Sequence, residues 1–286
     1  MIIGKNEFNV RSAQNSDRLK LANIIHFGSN IHQHLDWQSP LDLIGRKPFL
    51  VIENDQDLVA TLACPPDLPE ISWVRLFATS SHIKLDMAWK MLWETTLTEF
   101  FQNGKIHIAA LSMYSWFNSL LEECKFNHID NVIVLFYEST TKINDPNTGN
   151  INIREILIED LPIILDIDSA SFALEWRNSF ESLELAFHQS VYTTVAEMDG
   201  EIVGYQFSTS SGIGGHLARL AVKNVHQGKG IGYFLVYDVL KHFKMMGLLN
   251  VTVNTQQSNA ASLTLYANAG FKLTGESYRV YKYILK

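Results

Sequence analysis

The residues best suited to chemistry lie in one short run, His226, Gln227, Gly228, Lys229, Gly230, Ile231 and Gly232. An apolar stretch of strand character, Leu217–Val222, precedes it. After it come Phe234, Leu235, Val239, Leu240 and Phe243 at helical spacing. A glycine-rich turn therefore opens a helix. The first turn of a helix leaves backbone N–H groups without partners at the positive end of the dipole. Glycines remove the Cβ atoms that would keep an anion away from those donors. The spacing predicts a cradle for a pyrophosphate, with Lys229 adding charge at its rim; the alternative is a turn that holds no ligand. A Walker loop needs GxxxxGK followed by Ser or Thr, which this sequence lacks. The dinucleotide fingerprint belongs at the start of a parallel unit, whereas Gly228, Gly230 and Gly232 lie deep in theirs.

A second run completes the pattern. Asn250–Asn254 reads as a strand, and Ser258, Asn259, Ala260 and Ala261 open a helix through Leu263, Leu265 and Tyr266 to Gly270 and Phe271. Ser258 or Asn259 can cap that helix and Gly270 can end it, but capping gives no reason for Tyr266. Together, Gln227-x-x-Gly230-x-Gly232 and Asn259, Leu265–Tyr266, Gly270–Phe271 resemble the two signatures of the GNAT superfamily of N-acetyltransferases. The resemblance covers Ile151 to Lys286.

It implies acetyl-CoA as co-substrate and direct transfer of acetyl to an amine. The pantetheine arm would pair with a strand ending in Leu220, Ala221 and Val222, at a splay between two parallel strands. The pyrophosphate would rest on Gln227, Gly228, Lys229, Gly230, Ile231 and Gly232, with Asn259 beside the arm. Tyr266 takes the place of the general acid that protonates the departing thiolate, against the alternative of a packed tyrosine. Relatives that acetylate protein N-termini carry a Glu on the strand before the second signature, where this chain has Asn254. Glu175, His216 and ordered water remain as candidates for the base, and none is assigned. Asp166–Phe180 would shape the acceptor pocket, with Phe172, Trp176 and Phe180 either lining it or packed as core.

The elements that position these residues occur twice. Each half opens with a short strand and an acidic turn, at Asn9–Arg11 with Asp17 and at Ile153–Glu155 with Glu159 and Asp160. Hairpins follow, Phe49–Ile52 to Val59–Ala63 and Thr193–Glu197 to Ile202–Phe207, with Asn54–Asp55 and Asp199–Gly200 as turns. Trp73–Trp89 lies without a gap over Leu217–Tyr233, pairing Arg75 with Arg219 and His82 with His226. The strand Ile106–Leu111 then matches Asn250–Asn254, and Phe126 matches Phe271. A repeat of whole-domain length reads as tandem duplication.

The expected architecture is α/β with an α+β mixed sheet: two tandem GNAT-like domains, each a mostly antiparallel sheet splayed at the cofactor site and flanked by helices. The divisions are 1–138, a polar linker 139–150, and 151–286. In the first half Ile83, Lys84, Asp86 and Ala88 stand opposite Gln227, Gly228, Gly230 and Gly232, and Leu121 stands opposite Tyr266. That half reads as degenerate, with Trp73, Trp89, Trp93 and Trp116 as core or inter-domain packing, the alternative being that one of them lines a pocket.

Composition sets the remaining bounds. With 47% hydrophobic and 19% charged residues the chain is expected to fold. A net charge of −7 gives no basic stripe for nucleic acid. Without an apolar run of membrane length, and with only Lys5 before a broken apolar start, a cytoplasmic location is expected. Cys64 and Cys124 lack CxxC spacing, and the ten histidines lack HExxH spacing, so no metal is assigned. The expected partner is a small-molecule amine or peptide acceptor, and homo-oligomer formation stays open. The rival reading is a non-catalytic acyl-CoA sensor or scaffold in which Tyr266 merely packs.

Overall fold

Asp55, in the left-handed region at φ 53°, turns the first predicted hairpin. It joins strands that the computed structural model, described for residues 8–55, 57–101, 107–146, 149–212 and 214–285, extends to Phe49–Asn54 and Asp57–Ala63. Lys5 and Ile106 lie outside the described residues. Two compact units result, Met1–Ile129 with Arg279–Lys286, and Asp130–Tyr278.

The first unit runs β1 (Phe8–Ser12), α1 (Arg18–Phe27), β2 (Asn30–Gln33), β3 (Phe49–Asn54) and β4 (Asp57–Ala63). It continues through β5 (Pro66–Leu68), β6 (Ile71–Trp73), β7 (Leu76–Thr79), α2 (Leu85–Phe101), β8 (His107–Ser112) and α3 (Ser115–Glu123). Strands β1, β3, β4, β7 and β2 are neighbours in that order, all antiparallel. Strand β6 pairs in parallel with β8, and β8 pairs antiparallel with Arg279–Ile284. The core gathers Trp89 and Trp93, stacked at 5.7 Å, with Phe77, Phe117, Tyr281 and Leu285. Trp73 is buried and Trp116 packs against this core.

Strand β9 (Asn127–Glu138) carries the chain into the second unit, which runs β10 (Ile151–Glu155), α4 (Leu161–Ser171), α5 (Phe180–Gln189), β11 (Tyr192–Met198) and β12 (Glu201–Ser211). Then follow β13 (Gly214–Val222), α6 (Ile231–Met245), β14 (Asn250–Gln256), α7 (Ala260–Asn268) and β15 (Lys272–Ile284). The sheet order is β10, β11, β12, β13, β14, β9; only β13 and β14 are parallel. A Cβ on Gly204 would lie 3.3 Å from Leu235 of α6, while the adjacent Tyr205 reaches Asp168 of α4 at 2.5 Å. The two helices therefore cover opposite faces of the sheet, since successive strand residues point to opposite sides.

The repeat is visible atom by atom. Arg11 binds Asp17 at 2.7 Å and Glu53 at 2.7 Å; Arg154 binds Asp160 at 2.6 Å and Glu197 at 2.8 Å. In each unit the Asp also accepts the N–H of the residue three before it, Gln14 or Leu157, at 2.8 Å.

Contacts divide the chain differently from composition. Residues 130–138 serve the second unit and 279–285 the first, because β9 bonds to β14 and β8 bonds to the end of β15. The polar stretch after Glu138 is anchored: Tyr137 Oη donates to Thr141 O at 2.8 Å, Tyr233 Oη to Asn144 O at 2.9 Å, and Tyr237 Oη to Asp145. Among the described residues no helix is long and apolar enough to cross a membrane.

Candidate functional site

Strands β13 and β14 pair from Gly214↔Asn250 to Leu217↔Val253 and then part. Beyond that point β13 pairs only with β12, through Arg219, Leu220, Ala221 and Val222, and Asn254–Gln256 pair only with β9. The parting coincides with a bulge: Phe207 faces Arg219 and Ser208 faces Leu217, leaving Ala218 as the extra residue. A bulge bends its strand and increases local twist. The backbone edge of Ala218–Val222 thus faces an opening that can take an extended chain.

At the far end of that edge lies the glycine turn. Gly228 and Gly230 adopt φ of 76° and 85°, conformations that L side chains rarely take, and the space where a Cβ would project is open in both. Gly230 is the N-cap of α6 and no side chain caps the helix. The first helical bond runs from Phe234 N–H to Gly230 O at 3.0 Å, so the N–H groups of Ile231, Gly232 and Tyr233 lack helical acceptors. Gln227 braces the turn, donating to Val222 O and to Asn224 Oδ1, each at 3.0 Å. Lys229 is exposed, with Nζ 3.3 Å from His226 Nδ1. Ile231 is buried against Val222 and Leu235, which leaves only its backbone to face a ligand. Gly232 has a packing reason of its own, since a Cβ there would meet Leu265 of α7 at 3.2 Å.

Helix α7 brings the second run to the same opening. Asn259 caps it, accepting the Ser262 N–H at 3.0 Å. Tyr266 is 5% exposed and packs among Leu217, Val236, Val253 and Phe271. Burial pushes its phenol upward, so the hydroxyl holds its proton at neutral pH. That hydroxyl makes no hydrogen bond among the described residues, yet it is not one of the sealed polar atoms without partners.

The opposite face carries a polar group that sequence reasoning missed. Asp168 of α4, fully buried, accepts from Tyr205 Oη at 2.5 Å, Arg219 Nε at 2.7 Å and the Asn178 N–H at 3.0 Å. Arg219 also donates to Trp176 O at 2.6 Å and lies 3.7 Å above the Phe172 ring. The segment Phe172–Asn178, half-buried Glu175 included, is therefore tied to β13, while Phe180 is exposed on α5. Asn224 Nδ2 donates to Ala170 O at 3.0 Å and adds a second tie. The signal available in sequence was Asp168, an acid at an inward helix position.

The first unit has the same parting with a different occupant. Strands β6 and β8 pair as far as Trp73↔Ala109, the positions of Leu217 and Val253. Beyond it the free edge of β7 is taken by the chain's own β2, from Asn30↔Thr79 to Gln33↔Leu76. The flanking bonds Ser29 N–H to Thr79 O at 2.7 Å and His34 N–H to Arg75 O at 2.9 Å extend the ladder. Leu121, fully buried, occupies the place of Tyr266: the bonds Phe126 N–H to Leu121 O and Phe271 N–H to Tyr266 O end the two helices alike. Asp86 lies in the first turn of α2, and Ile83 is buried.

Comparison with known proteins agrees with this geometry. Residues 168–284 match the family model described as acetyltransferase (GNAT) domain. N-acetyltransferase 8 of Rattus norvegicus is 36% identical over 90 residues, 29% of this chain and 40% of that protein. This chain spans only part of such mammalian relatives, 29% of N-acetyltransferase family 8 member 3 of Mus musculus. Among solved structures, the GCN5-related N-acetyltransferase of Sphaerobacter thermophilus superposes with a TM-score of 0.66 at 15% identity, over 98% of this chain and 96% of that one. The tandem GNAT protein from the clavulanic acid biosynthesis pathway gives 0.66 at 12% identity, over 98% and 99%. These two are likenesses of fold. Residues 168–284 are thus similar to the acetyltransferase (GNAT) domain, and the fold of the chain is like that of a tandem GNAT protein.

Proposed function

We propose that the second unit transfers acetyl from acetyl-CoA to a primary amine of a small molecule or peptide. One observation carries the reading: an unpaired strand edge, Ala218–Val222, leads directly to an uncapped helix N-terminus preceded by Gly228 and Gly230 at positive φ. An extended amide-bearing arm suits the first feature and a pyrophosphate the second. The residues that would hold the co-substrate are the backbone of Leu220, Ala221 and Val222, the turn from Gln227 to Gly232, and Asn259, whose Nδ2 is not used by its cap bond. When bound, acetyl-CoA supplies an acyl thioester.

The protein's own groups then have separate tasks. The edge of β13 orients the arm, the first turn of α6 neutralises anionic charge, and Tyr266 holds a proton for the leaving sulfur. The tied segment Phe172–Asn178 gives the acceptor side a fixed wall. In the first unit β2 takes the equivalent edge, so that unit is read as non-binding.

Calorimetric titration with acetyl-CoA tests the reading. One site per chain is expected, lost in Gly230→Glu and kept in Asp86→Ala. No binding by the native chain would sink it. Binding without acetylation of any amine would favour an acyl-CoA sensor or scaffold instead.

A further inference from the structure

Direct transfer requires the amine to meet the acyl carbon in a fixed pose, and a displacement of about 1 Å is worth about a hundredfold in rate. On the α4 face that pose depends on Phe172–Asn178, which joins α4 to α5 outside the sheet. Bonds from Trp176 N–H to Ala173 O at 2.8 Å and from Arg177 Nε to Phe172 O at 3.1 Å shape the segment from within. They set its curl rather than its place.

A buried ion pair sets the place. The guanidinium of Arg219 is a planar fork of donors. Its Nε reaches Asp168 Oδ2 at 2.7 Å, its Nη2 stands 2.6 Å from both Asp168 Oδ2 and Trp176 O, and its Cζ lies 3.7 Å from the Phe172 ring centroid. The fully buried Asp168 carboxylate takes the Asn178 N–H on Oδ1 at 3.0 Å and Tyr205 Oη on Oδ2 at 2.5 Å. One carboxylate thus holds the end of the segment directly, and its start and middle through Arg219.

Arg219 follows the bulged Ala218 and opens the stretch of β13 whose outer edge is unpaired. The acceptor wall therefore hangs from the strand proposed to carry the acyl arm. In the first unit Arg75 takes the overlay position of Arg219, and its carboxylate partner is Asp36, just beyond β2. Each arginine pins the segment that follows the first helix of its unit. In one unit that segment carries β2, and in the other it is the wall.

We propose that Asp168 and Arg219 are positioning residues that place the acceptor wall and thereby set how well an amine is held for attack; this rests on the acetyltransferase reading above. Charge balance alone would be met by any cation beside Asp168, whereas placement of the wall needs the fork.

Two variants separate these roles. Arg219→Lys keeps a cation beside Asp168 but cannot reproduce the fork to Trp176 O or its stacking on Phe172. Asp168→Asn combined with Arg219→Gln leaves no buried charge unpaired, which spares the chain the destabilisation of a half-broken pair. Initial rates are measured with phenethylamine, glucosamine, spermidine and an alanyl-glycine peptide. For each amine that the native chain acetylates, both variants are expected to lose about a hundredfold in kcat/KM, in KM more than in kcat, with the acetyl-CoA Kd within about twofold of native. A kcat/KM within about threefold of native in either folded variant overturns the proposal. Trp176 is the one tryptophan of the second unit, so fluorine NMR of fluorotryptophan-labelled chain, assigned with Trp176→Phe, reads the wall without any amine. One sharp Trp176 line is expected in the native chain and a broadened or split one in both variants; an unchanged line also overturns the proposal. Failure of the native chain to bind acetyl-CoA would instead remove the underlying reading, and calorimetry shows that before any variant is made.

Discussion

Tyr266 and Leu121 occupy one position in two copies of a fold, both buried, and only Tyr266 carries a hydroxyl, one that makes no hydrogen bond among the described residues. Removing that oxygen costs little packing. Tyr266→Phe is therefore expected to leave the unfolding midpoint in urea nearly unchanged and the acetyl-CoA Kd intact, while kcat falls about a hundredfold. Unaltered kcat on every accepted amine would reduce Tyr266 to packing. The candidates Gly228, Gly230 and Tyr266 were legible because a backbone at positive φ and a phenol among aliphatics leave fixed residue types at fixed spacings. Asp168 with Tyr205 and Arg219 was less so, since their partnership joins positions 37 to 51 residues apart. Gly232 fitted the motif, yet its lack of a side chain is also demanded by Leu265 from another helix.

At the scale of elements, β2 explains why the first unit differs from its twin. Its four residues, Asn30–Gln33, show no strand-like run of apolar or β-branched residues, and the edge of β7 is what makes them a strand. Nothing local in sequence announces it. His32 anchors this strand, fully buried, stacked on Phe117 at 4.1 Å and bonded through Nε2 to Val74 O at 3.1 Å. Burial lowers its pKa from 6.5 to about 4. The unfolded chain therefore binds the proton more readily than the folded one, and stability declines with falling pH. It is complete above about pH 6.5 and lost progressively toward pH 4, by about 3 kcal/mol for this group. Urea melts followed by tryptophan fluorescence, to which the first unit contributes five of the six tryptophans, check the slope; His32→Leu is expected to flatten it.

At the scale of the molecule, sequence order and spatial grouping part company. The hairpins, the repeat and the tandem plan were readable from periodicity and turn chemistry. The exchange of β9 and the end of β15 was not, because either strand satisfies the pattern of either sheet. It has a direct test. A chain ending at Tyr278 would lack Val280 and Tyr281, both fully buried, and Leu285, each worth about 1.5–3 kcal/mol of burial. It would also leave β8 without its partner from Arg279 to Ile284. Such a chain is expected to lose its cooperative tryptophan transition, as a domain holds only about 5–15 kcal/mol in reserve; retention of that transition would show the segment to be dispensable.

The same exchange sets an order of events during synthesis. The codons for Arg279–Ile284 are read after the whole second unit. The unit whose residues leave the ribosome first must hold one edge of β8 unpaired until the other has been translated. Domains that finish early normally fold early. Here the earlier one waits, and the wait exposes an apolar strand edge that a chaperone has reason to cover.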